Sequence, residues 1–85
     1  MPYQKVGQSI DVYMAFRQNR TEPVVFKWEN RFYQIDCVNL VHTERQGSEK
    51  VYFFSVSDRL RTFRLSFRAE SLGWRLEEWC DLPAR

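Results

Sequence analysis

Eighty-five residues make one domain with a single small core, and a net charge of +2, from thirteen basic and eleven acidic residues, is too mild to mark a nucleic-acid binder by composition. With 44% hydrophobic and 16% aromatic residues the chain can build that core without metal or disulfide staples, and no run nears the roughly 18 apolar residues of a membrane span. The opening Met1-Pro2-Tyr3-Gln4-Lys5 has no apolar signal core, so the expected location is the cytoplasm, with Cys37 and Cys80 as reduced, partly buried thiols.

Residues 1–8 read as a flexible polar tail broken by Gly7, residues 9–80 as one β-domain, and residues 81–85 as a second tail. From Ser9, Val12, Met14 and Phe16 share one parity, which predicts a first strand. A polar loop then leads to Pro23, which cannot donate to a ladder and belongs at a strand start. Val24, Phe26 and Trp28 alternate with Val25, Lys27 and Glu29 as a half-buried strand, and Asn30 suits the left-handed position of the following turn. Phe32 to Val41 forms a long strand whose apolar parity changes, so a β-bulge is expected near Cys37-Val38. Residues 43–49 are a solvated connection with Gly47 at its tip.

Lys50 to Trp79 is the stretch the rest is organised around. Val51 to Val56 is apolar on both parities, Thr62 to Arg68 alternates with Phe63, Leu65 and Phe67 on one face, and Gly73 to Trp79 supplies Trp74 and Leu76. Leu72 to Trp79 is alternatively a short helix. The fold class is mainly β: about six strands in one small antiparallel, strongly curled sheet or open barrel of the SH3-like or OB-like kind.

Catalytic signals are lacking. His42 has only Glu44 and the more distant Cys37 as companions and is read as a surface imidazole. Glu77 and Glu78 are adjacent, so on a strand they point to opposite faces and cannot form a carboxylate pair. Neither a nucleophile elbow nor a phosphate loop nor a paired metal motif is present. The chain is therefore read as a non-enzymatic binding module, with no catalytic residue, cofactor, metal or small-molecule ligand inferred.

The sharper signal is the acid-free run Arg59, Arg61, Arg64, Arg68. On a strand, Arg64 and Arg68 project from one side about 13 Å apart, a spacing comparable to two phosphate steps, and Lys27, Arg31 and Arg75 would widen the stripe if their strands lie beside it. Trp28, Tyr52 or Trp79 would then offer stacking surfaces. The plainer reading is that these arginines solubilise an outer face and pair with glutamates such as Glu29, Glu77 and Glu78. Tyr13, Phe53 and Trp79 fall on outward parities and form a candidate exposed aromatic patch. Two functions follow: an accessory that touches nucleic acid or a nucleic-acid enzyme, or a protein–protein or self-association module, in the simplest case a homodimer through a sheet edge.

The pattern Pro23-x-x-Phe26-x-Trp28-x-x-Arg31-x-Tyr33, then Tyr52-Phe53, Phe63-x-Leu65 and Gly73-Trp74-x-Leu76, resembles a small bacterial domain of unknown function. That domain occurs alone or appended to proteins related to Y-family translesion DNA polymerases. The likeness spans about Val12 to Trp79 and rests on turns, aromatics and strand starts. It departs at Asn30, where the family has glycine, and between Arg45 and Lys50, which lacks the family's tryptophans. The resemblance implies a β-rich module and a DNA-repair setting, and it assigns no binding residue.

Overall fold

The computed structural model describes residues 3–82 as eight β-strands in two antiparallel sheets. β1 (Gln4–Ser9), β8 (Gly73–Asp81), β7 (Arg61–Arg68), β6 (Glu49–Ser57) and β5 (Cys37–Gln46) form the large sheet in that spatial order. β2 (Asp11–Phe16), β3 (Thr21–Trp28) and β4 (Arg31–Gln34) form the small one. The mainly β, antiparallel expectation holds, and the sheets are not closed into a barrel. Among the described residues no helix is long and apolar enough to cross a membrane, and Gly73 to Trp79 is strand.

Eight strands replace the expected six for two reasons. The long strand through Phe32 to Val41 breaks at Ile35-Asp36, where the chain changes sheets within one peptide: Ile35 N–H donates to Val24 C=O at 2.8 Å and Asp36 N–H donates to Ser57 C=O at 2.9 Å. Residues 4–8, expected as part of a flexible tail, are the ordered β1 and pair with β8. Their side chains are mostly polar because a sheet edge is held by main-chain hydrogen bonds, which leave no mark on side-chain patterning. Ile10 is the corner from β1 to β2, buried, with its N–H on Trp74 C=O at 3.1 Å. Asp81 ends β8, so the second expected tail starts later, and residues 1–2 and 83–85 of the two tails lie outside the described residues.

Turns and bulges set the faces. Trp28 pairs with Arg31 across a two-residue turn in which Glu29 and Asn30 both have positive φ, 52° and 64°, as a right-twisted hairpin requires. Thr43 to Gln46 belong to β5, and the expected connection shrinks to Gly47-Ser48, with Gly47 at φ 64°. The extra residue of β5 is Asn39, one position beyond the expected bulge. It leaves Val38 opposite Val56 and turns Leu40 outward. Leu72 also has positive φ, 60°, yet is exposed. A bulky side chain is strained there, so Leu72→Gly is expected to raise stability by about 1 kcal/mol in urea unfolding; a loss of stability would mean the leucine makes an unrecognised contact.

The core lies between the sheets. Phe26 of β3 meets Phe63 of β7 edge-on at 5.0 Å, and Tyr33 of β4 stacks on Phe26 at 5.0 Å while reaching Phe63 at 5.6 Å. Ile10, Val56, Leu65 and Leu76 complete the buried set. Toward the Tyr52 end the small sheet covers less, and Tyr52, Phe54, Phe67 and Trp74 stay half-buried beside an apolar groove of about 450 Å³ that Met14 and Phe16 also line.

Cys37, Ser57, Thr62 and Cys80 form one row across β5, β6, β7 and β8. Three strand spacings put the two thiols roughly 14 Å apart, far beyond disulfide reach. Both are free, and Cys37 is exposed rather than partly buried.

Candidate anion-binding groove

The arginines singled out from the sequence separate into two groups. Arg64, Arg68 and Arg75 lie on the outer face of the large sheet, the face opposite the core. Each holds a carboxylate there: Arg64 Nη1 is 3.7 Å from Glu78, Arg68 Nη1 is 3.1 Å from Glu49, and Arg75 Nε is 3.6 Å from Glu77. Arg68 also donates to Gln46 at 3.1 Å, and Arg75 to Gly7 C=O at 2.6 Å. Gly7 is needed at that point, with φ of 63° and a Cβ that would stand 3.2 Å from the Arg75 guanidinium. The Arg68 hydrogen bond, opposed by desolvation and helped by Ser71 N–H, holds the Glu49 carboxyl below the ordinary range. Beneath this layer Val51 and Ser66 are buried on a nominally outward face, and Ser66 Oγ donates to Glu77.

A β-bulge corrects one expectation. Arg64 pairs with Glu78 and Leu65 with Leu76, so Glu77 is the extra residue of β8. Two bulge residues facing one partner can both reach the same side, and Glu77 and Glu78 do, as their bonds to Ser66 and Arg64 show. The same shift turns Trp79 inward opposite Phe63 while Phe53 stays outward, so the expected patch of Tyr13, Phe53 and Trp79 does not exist. Phe53 is instead half-covered, with the His42 ring stacked at 5.1 Å and the Arg64 guanidinium at 5.4 Å. His42 Nε2 lies 3.2 Å from Glu44, and among the described residues no group of three or more metal-ligating side chains is assembled. Tyr13 pairs with Phe32 at 6.1 Å on the outer face of the small sheet, where Lys27 sits 5.6 Å from the Phe32 ring. Trp28 donates Nε1–H to Gln8 at 2.9 Å and packs on the core rather than offering a free face.

Arg31, Arg59 and Arg61 behave differently. They line one open groove of about 560 Å³ between β4 and the turn from β6 to β7, together with Phe32, Tyr33, Asp36, Asp58 and Leu60. Local chemistry shapes that turn: Asp58 Oδ1 accepts the N–H groups of Leu60 and Arg61, both at 2.8 Å, and Asp58 N–H returns to Arg61 C=O at 3.0 Å. Leu82 N–H donates to Leu60 C=O at 2.8 Å and ties the turn to the chain beyond β8. Arg61 falls on the same parity as Phe63, so its guanidinium enters an aromatic cage, 5.3 Å from Tyr33, 5.7 Å from Phe63 and 5.6 Å from Trp79. Ring quadrupoles favour the cation without neutralising it.

None of these three arginines has a carboxylate within ion-pair distance among the described residues. Against the two aspartates the groove keeps an excess of one positive charge, and exposed Phe32, one of its lining residues, has Tyr13 6.1 Å away on the outer face of the small sheet. Its chemistry suits an anion flanked by a flat apolar group, held by guanidinium forks. Sequence parity marks Arg61 as inward-facing, but no sequence signal brings Arg31 to the β6–β7 turn, because that contact depends on how the sheets stack.

No family model, curated protein or solved structure matches this chain.

Proposed function

We propose that the chain is a non-enzymatic binding module of the cytoplasm whose groove between β4 and the β6–β7 turn takes a single-stranded segment of nucleic acid. The observation that carries this reading is the gathering of Arg31, Arg59 and Arg61, without an ion pair among the described residues, beside exposed Phe32. Arg31 and Arg59 lie on the accessible rim and serve the phosphates. Caged Arg61 supplies a fixed positive field, and Phe32 with Tyr13 gives a base a surface to stack on, an interaction worth roughly 1–3 kcal/mol per base. An accessory role beside a nucleic-acid enzyme, the setting implied by the resemblance to a small bacterial domain linked to Y-family polymerases, fits the same chemistry.

The test is a fluorescence-anisotropy titration with short labelled single-stranded DNA and RNA, with duplex as comparison, at two salt concentrations. Binding that weakens steeply as salt rises, and prefers single strands, is expected. No binding at low salt sinks the proposal, and tighter binding to duplex removes the stacking role of Phe32.

A further inference from the structure

The large sheet ends at β5, and among the described residues no strand pairs with its outer edge. β5 runs for ten residues, whereas the other sheet edges, β1, β2 and β4, run for six, six and four. Edge strands are normally blunted by shortness, proline, lysine or irregularity. β1 has Lys5 and breaks register between Lys5 and Gln8, and β4 is short. From Leu40 to Gln46, β5 pairs with β6 without interruption and contains neither proline nor lysine, and its charges, Glu44 and Arg45, are one of each sign. It leaves Leu40 59% and Val41 47% exposed.

The hairpin determines which main-chain groups face that edge. Gln46 and Glu49 close the Gly47-Ser48 turn and, as the closing pair of a two-residue hairpin, exchange both hydrogen bonds. Alternation then turns the N–H and C=O of Glu44, His42 and Leu40 toward β6, and those of Arg45, Thr43 and Val41 outward. The outward set is regular and has no strand partner among the described residues, a template for one more strand.

We infer that a second copy of this chain supplies that strand, the two β5 edges pairing antiparallel about a two-fold axis at Thr43. Thr43 then faces the Thr43 of the second copy, Val41 faces its Arg45, and His42 faces its Glu44. Side-chain complementarity selects both the partner and the register. A two-fold interface must complement itself. An axis at Val41 sets His42 against Leu40, one at His42 sets the imidazoles together, one at Glu44 opposes two carboxylates, and one at Arg45 opposes two guanidiniums. The axis at Thr43 pairs base with acid, and symmetry makes it do so twice. His42 is held ready by its stack on Phe53, with Nε2 already 3.2 Å from the Glu44 of its own strand. The pairing joins two large sheets into one continuous sheet, and the groove at the β6–β7 turn, at the other end of β6 from the residues opposite Thr43, stays open.

Sedimentation equilibrium on the protein alone, from micromolar to millimolar concentration, tests this. A monomer–dimer equilibrium is expected. Thr43→Pro removes an outward N–H and obstructs an incoming strand while sparing the β6 ladder, so it is expected to be monomeric. His42→Glu sets two carboxylate–carboxylate pairs across the axis and weakens dimerisation by about tenfold or more, and adding Glu44→His restores the imidazole–carboxylate pairs and recovers the affinity. Circular dichroism and urea midpoints establish that each variant is folded, and the charge-swapped pair decides the matter if the proline variant is not. A native protein that stays monomeric overturns the proposal, as does native-like dimerisation by folded Thr43→Pro. Undiminished dimerisation by His42→Glu, or no recovery in the double variant, overturns the Thr43 register.

Discussion

Phe63→Ala is expected to cost about 3–5 kcal/mol, the range for deleting a fully buried aromatic side chain. Phe63 is 1% exposed and is the point where the two sheets meet: Phe26 and Tyr33 approach it from the small sheet, and Val56 and Trp79 flank it within the large one. No other described strand can move into the vacated volume without losing its own ladder, so the cavity stays open and its cost adds to the lost transfer energy. A domain of this length has roughly 4–13 kcal/mol of total stability, so a large part would go at once. Urea unfolding checks this through a fall in midpoint, and Phe16→Ala is the control, because an 82% exposed ring is expected to shift stability by less than about 0.5 kcal/mol. A loss below about 1 kcal/mol at Phe63 would mean that the sheets do not depend on this contact.

The second large effect separates the two groups of arginines. Arg31→Ala with Arg59→Ala is expected to weaken single-stranded DNA or RNA binding by at least about tenfold and to lower the salt slope by about one for each phosphate contact removed. Arg64→Ala with Arg68→Ala is expected to leave affinity within about twofold, because those guanidiniums are already held by Glu78 and Glu49. The outer face would register the loss instead: removing Arg68 frees the Glu49 carboxyl from the bond that lowers it. Anisotropy titrations of both double variants discriminate cleanly. Equal loss in both would return the site to a broad stripe on the outer face, and equal retention would take Arg31 and Arg59 out of the recognition.

Much of the scaffold was legible before the structure. Alternation in Thr62 to Arg68 marks Phe63 and Leu65 as core, and the polar run Glu29-Asn30-Arg31 marks the turn that closes β3 on β4, although Arg31 itself already belongs to β4. Side-chain chemistry carries such signals because one face of each strand is buried. Features held by the main chain were not visible in the same way. β1 is held by its ladder to β8, the corners at Ile10 and Ile35-Asp36 are made by single N–H groups, and the extra residue at Glu77 reverses every parity after it. That reversal is why Trp79 points inward and why two adjacent glutamates share a side.

The candidate site was half legible for a related reason. The sequence marks all three groove arginines, but as members of a stripe with Arg64 and Arg68. Linear proximity joined Arg61 to Arg64, whereas opposite parity parts them. Stacking of the sheets joined Arg31 to Arg59 across a sequence gap that pattern alone does not bridge.

The antiparallel pairing of β1 with β8 sets Gln4 beside Trp79 and Lys5 beside Glu78, so the first and last described strands begin and end at the same place on the molecule. A tether pulling on those two ends would stretch the rungs of the ladder along their own length, one after another, rather than shear them all together. Mechanical failure would then proceed as unzipping, one rung at a time, starting at Gln4 and Trp79. The large sheet would open from its β1 margin before the Phe26–Phe63 contact felt any force.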